Sequence, residues 1–102
     1  MHEEKRHKRV VCKSGFSMSV QAHVGAYCTP RSNMAEKYTH VEVGFPSARE
    51  PMLMDYCDEP GDPTGTVYGY VPVHVVTTVI AKHGGAIEGS APPGVATLMS
   101  VE

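Results

Sequence analysis

TVYGYVPVHVVTTVIAKHGG, Thr66 to Gly85, reads as a strand, a proline stop, one helix and a glycine cap. Thr66 to Val71 is β-branched and aromatic, the composition of a half-buried pleated strand. Pro72 has no N–H to give a central strand. It suits the first turn of a helix, where that N–H has no partner anyway. Val75, Val76, Val79 and Ile80 recur at helical spacing and make one apolar stripe. Lys82 and His83 put positive charge at the negative end of the helix dipole, and Gly84 supplies the left-handed residue that closes helices. Five valines or isoleucines and two threonines give this run poor helix propensity. Burial must therefore hold the helix, which places it flat on a sheet. The rival reading is a second strand from Val73 to Ile80.

Upstream, Arg9 to Lys13 and Phe16 to Ala22 read as a hairpin around Ser14-Gly15. Phe16, Met18, Val20 and Ala22 point to a core; Ser17, Ser19 and Gln21 make an uncharged polar face. That face is either plainly wet or a floor for a ligand or a subunit. Gly25, Pro30, Ser32 and Asn33 break any period between His23 and Lys37. This loop carries Tyr27-Cys28-Thr29-Pro30-Arg31, where an aromatic near an arginine can stack a ring and clamp a phosphate, or pin the loop to its own carbonyls. Tyr38 to Phe45 is a third strand, with Thr39, Val41, Val43 and Phe45 apolar-side and His40 and Glu42 opposite. Met52 to Tyr56 is a short strand or one helical turn, its methionines filling core gaps. Asp58 to Gly65 is an exposed, turn-rich acidic loop.

The chain of 102 residues makes one domain. Two Phe and no Trp leave few large apolar side chains, so self-association is expected. The net charge of −2 neither forces nor excludes a partner. Residues 1–8 read as a charged arm, 9–85 as a single α+β domain and 86–102 as a Gly/Ala/Pro-rich tail or arm, with Val95 to Met99 as an edge strand or an arm on a neighbouring subunit. The arm mixes Glu3 and Glu4 with its basic residues, so direct nucleic-acid binding is not expected. Three cysteines without a CxxC point to a reducing cytoplasm. No run is long and apolar enough to span a membrane.

Chemical constellations are sparse. His23 with Cys28, plus Cys57 or His40, lacks the short spacing of structural zinc, and the acidic loop matches no calcium pattern, so no metal and no cofactor are expected. Cys28 beside Tyr27 and Arg31 is the one candidate nucleophile, needing a base such as His23 or His83 close in space.

SMSVQA (Ser17–Ala22), YCTPR (Tyr27–Arg31), YTHVEVGFPS (Tyr38–Ser47), TVYGYVP (Thr66–Pro72) and KHGG (Lys82–Gly85) together resemble a group of short proteins encoded in tailed-phage and prophage genomes. The resemblance spans about residues 10–85, without a diagnostic signature and without catalytic residues to carry over. It implies stoichiometric binding in counter-defence: sequestration of a nucleotide-type signal ligand, or anti-CRISPR-type inhibition of a host defence protein.

The expectation is thus an antiparallel sheet of about four strands with the helix Pro72–His83 packed on one face. The resemblance implies a non-enzymatic binder in the host cytoplasm, with sequestration of a nucleotide-type ligand as the leading expectation and inhibition of a defence protein through the acidic stretch as the alternative. Its small-ligand residues are Tyr27, Arg31 and Arg49, with Tyr68 and Tyr70 as rings. For a protein partner the residues are Asp55, Asp58, Glu59 and Asp62. A small Cys28-dependent enzyme and a virion structural component are the competing classes.

Overall fold

The computed structural model describes residues 6–99. Five antiparallel strands form one sheet: β1 (Val10–Cys12), β2 (Ser17–Gln21), β3 (His40–Gly44), β4 (Val67–Pro72) and β5 (Ala86–Glu88). Their spatial order is β4-β3-β2-β1-β5. The single α-helix, α1 (Val73–Lys82), follows β4 directly, and a 3-10 helix (Pro51–Tyr56) lies between β3 and β4. The chain is therefore α+β, with one strand more than the sequence suggested. The fifth strand is only three residues long, too short to show a period of two, and it opens the stretch that reads as a tail.

The period-two reading of β2 holds. Met18 and Val20 are buried, while Ser17, Ser19 and Gln21 are half-buried. Their polar face is partly covered by the chain itself. Arg9 donates to Ser17 Oγ, Ser47 Oγ accepts the Ser17 N–H, and Gln21 clamps the His7 backbone through both its amide atoms. In β3, Val41 and Val43 are buried, but Thr39 and Phe45, just beyond its two ends, are exposed. Phe45 sits at φ 49, and this left-handed step turns its ring off the core face.

The helical reading of α1 holds over the strand alternative. Val76, Val79 and Ile80 join Val10, Met18, Val20, Val41, Val43 and Val71 in one buried cluster. Pro72 ends β4 opposite His40 instead of opening the helix; β4 is an edge strand, where proline is tolerated. Poor propensity is offset locally. The Val73 N–H donates to Thr39 O, which ties the first turn to the sheet. At the far end Gly85 N–H reaches Ile80 O and Gly84 N–H reaches Ala81 O, a Schellman closure with both glycines at positive φ.

After β5 the chain folds back on its own domain. Tyr38 N–H donates to Pro93 O, Ala96 N–H to Thr77 Oγ1 and Ala86 N–H to Thr97 O. Residues Val95 to Met99 form no strand. Gly94, at φ 113, stands so close to Tyr38 O that a Cβ there would collide with it.

Candidate functional site

The site starts from an irregularity in β4. Val41 pairs with Val71 and Val43 with Tyr68, so two residues of β4, Gly69 and Tyr70, stand opposite the single Glu42. This is a β-bulge, which re-aims a side chain. Tyr70 adopts φ 52, a costly conformation for a bulky residue. Its N–H donates to Tyr27 O at 3.0 Å, and the Tyr27 N–H donates to Glu42 Oε2 at 3.2 Å. The loop therefore crosses the bulge closely: a Cβ on Gly69 would lie 3.2 Å from Tyr27 Cβ. Both phenol rings are brought to the surface, each 46% exposed, with centroids 5.9 Å apart and planes tilted by 39°. A base sandwiched between them would need about 7 Å, two carbon contact distances, so ligand contact is confined to their outer faces.

The facing wall comes from the end of the 3-10 helix. Glu50 caps that helix by accepting the Met52 N–H, and Leu53 anchors it in the core. Cys57 bridges to Tyr68, and Asp58 N–H donates to Val67 O. Between the walls lies a cleft of about 440 Å³ lined by Tyr27, Asp55, Tyr56, Cys57, Asp58, Gly69 and Tyr70. The volume is in the lower part of the range for small-ligand sites. The lining holds two carboxylates and three phenols and no basic side chain.

Tyr27, Tyr70, Asp55 and Asp58 thus meet in one place, drawing on both residue sets that the sequence offered for different partners. Arg31 lies beside the cleft, its guanidinium carbon 6.0 Å from the Tyr27 ring centroid. Arg49 is exposed and outside the lining. Tyr68 is fully buried, its hydroxyl donating to Pro63 O at 2.6 Å; burial, then the neighbouring Cys57, push its phenol up to about 12. It holds the acidic loop instead of meeting a ligand. Glu59 and Asp62 lie further along that loop, exposed, in successive turns. Tyr56, Cys57 and Gly69 were not anticipated as lining residues. A glycine inside a strand pattern was the available signal, since it commonly marks a bulge.

Other constellations resolve into structure. Cys28 is 1% exposed and its thiol is directed at His23 O and Pro30 O. Burial pushes the Cys12 thiol up, away from the reactive thiolate. Among the described residues no three His, Cys, Asp or Glu are grouped to hold a metal ion. Ser14 Oγ lies 3.0 Å from His83 Nδ1, and His83 Nε2 lies 2.7 Å from Glu50 Oε1. This has the connectivity of a nucleophile, base and orienting acid. An acyl-transfer site also needs free donors for the oxyanion. Here the amides of Lys13, Ser14, Gly15 and Phe16 are all engaged within the turn or with the helix end. The group is a clasp joining the β1–β2 turn, the end of α1 and the 3-10 helix.

Among the described residues no helix is long and apolar enough to cross a membrane. No protein-family model matches the chain, and no curated protein or solved structure matches it either.

Proposed function

We propose that this chain acts without catalysis, as a phage-type accessory protein that binds a host defence protein stoichiometrically through the cleft face. What supports the reading is the convergence of Tyr27, Tyr70, Asp55 and Asp58 on one cleft whose lining carries no basic side chain. Aromatic anchors beside carboxylates form a recognisable binding surface for a protein with a basic epitope. The strained Tyr70 backbone fits the same view, because such residues persist where the surroundings over-determine them and cluster at binding sites. The protein is further proposed to act in the host cytoplasm and to self-associate. Exposed Val24, Met34 and Ile87 offer apolar surface for that contact.

Native mass spectrometry of the protein purified from cells carrying a defence system tests this. A complex of fixed stoichiometry is expected, lost in Tyr70→Ala with Asp58→Lys and kept in Glu59→Ala. A complex indifferent to Tyr70 and Asp58 overturns the assignment to the cleft.

The second reading is sequestration of a nucleotide-type signal ligand. Arg31 beside the Tyr27 ring favours it, since a ring face and a guanidinium together suit a base and its phosphate. A nucleotide-sized mass retained by the wild type and absent from Arg31→Ala would replace the first reading with this one.

A further inference from the structure

We propose that the cleft recognises a cationic side chain, the ammonium of a lysine or the guanidinium of an arginine, presented by the partner protein. This rests on the cleft being the binding site, and it names the chemistry that fills it.

The argument is one of complementarity. Tyr27, Tyr56 and Tyr70 bring three phenol rings to a space of about 440 Å³, and Asp55 and Asp58 bring two carboxylates. An aromatic face attracts a cation through its quadrupole, more strongly as water is displaced. A phosphate placed in the same space would meet two like charges and no lining donor of positive charge. A neutral apolar side chain would strip water from the aspartates without pairing them. A cation on an alkyl stem satisfies both features, because the stem packs on the rings and the head meets the carboxylates.

Further observations point the same way. Glu42, which accepts the Tyr27 N–H, adds a third carboxylate on the side of Tyr27. Arg31, whose guanidinium carbon is 6.0 Å from the Tyr27 ring centroid, is absent from the lining, so it leaves the cleft itself to an incoming cation. Asp55 and Asp58 are exposed at the rim, so their charge reaches an approaching ligand and speeds encounter at low salt.

The test is titration of the full-length protein, followed through backbone amide NMR signals of Cys57, Asp58, Gly69 and Tyr70. The probes are N-acetyl-lysine amide, N-acetyl-arginine amide, the neutral N-acetyl-norleucine amide and adenosine monophosphate. The two cationic amides are expected to shift these signals saturably, and the norleucine amide to leave them in place. Asp55→Asn with Asp58→Asn should weaken the cationic amides by about tenfold, as two part-exposed ion pairs together would. Both aspartate side chains are at the surface, so the variant keeps its fold, checked by the remaining signals. Equal binding of norleucine amide overturns the proposal. Binding of the nucleotide alone overturns it and leaves the cleft as a site. Silence with all four probes overturns both the cation and the cleft.

Discussion

Replacing Glu50 by Gln isolates the charge of the clasp while keeping its shape. Glu50 is 2% exposed and accepts from Met52 N–H, Lys82 Nζ at 2.8 Å and His83 Nε2 at 2.7 Å. Lys82 is 45% exposed, so its pair is screened and contributes less than about 1 kcal/mol. The bonds to Met52 and His83 fall from charge-assisted to neutral strength, about 1 kcal/mol each. The Gln amide also turns an N–H toward a group that donates to the carboxylate of Glu50. The sum is about 2–3 kcal/mol, or roughly 10–15 °C in Tm for a chain of this length. Burial pushes the Glu50 carboxyl up, but the Lys82 ammonium, the Met52 amide and the His83 ring outweigh it and hold the group below the ordinary carboxylate value. A carboxyl with a depressed folded-state pKa stabilises above its unfolded value, and that stabilisation is lost as pH falls through the folded value. Glu50→Gln has nothing to protonate there. The stability gap in urea unfolding should therefore be full near neutral pH and close below about pH 4. A gap under about 0.5 kcal/mol at neutral pH, or one unchanged down to about pH 3, refutes the reasoning.

Gly69→Ala puts a methyl against Tyr27 Cβ at 3.2 Å; the loop must shift by tenths of an ångström, and the Tyr27 and Tyr70 NMR signals should move while Tm falls only a few degrees. Tyr68→Phe removes the hydroxyl that holds Pro63 O, at a cost of about 1 kcal/mol, and should raise hydrogen exchange in residues 58–65 without changing binding in the cleft. Gly94→Ala drives a Cβ into Tyr38 O at a φ of 113. It should release residues 91–97 to limited proteolysis, and a resistant tail would show that this docking does not hold the segment.

The sheet and helix were legible because their signals are local. The alternation of Phe16, Met18, Val20 and Ala22 marks one face, and the stripe Val76, Val79, Ile80 with Gly84 beyond it marks a helix and its end. Elements fixed by distant partners were not legible. Ala86–Glu88 is a strand because β1 offers it an open edge, with Cys12 opposite Ala86. Phe45 occupies an apolar position in the alternation, yet a single left-handed residue removes it from the face that its spacing assigned. The Gly-, Ala- and Pro-rich residues after Glu88 show no period of their own, and hydrogen bonds to Tyr38 and Thr77 fix them on the domain.

The candidate site was half legible for the same reason. Tyr27 and Asp58 are far apart in sequence, and nothing in either segment says that they share a cleft. They do so because β4 carries one residue more than β3 across from Glu42. Regular pairing would leave no surplus residue for Tyr27 O to bind. The bulge supplies one, and the Tyr70 N–H bonds to Tyr27 O rather than into the ladder. The glycine in Tyr-Gly-Tyr then has a specific reason, because its bare Cα leaves room for the Tyr27 side chain, whose Cβ lies 3.2 Å from where a Gly69 Cβ would stand. Deleting Gly69 should restore regular pairing, with Tyr68 still opposite the buried Val43 and Tyr70 opposite Glu42, and leave no surplus residue to which Tyr27 O is tied. Losing the Tyr27–Tyr70 tie in this way would separate the two rings and abolish binding of cationic probes while keeping a folded sheet. A Gly69 deletion that folds and still binds those probes would show that the cleft does not depend on the bulge.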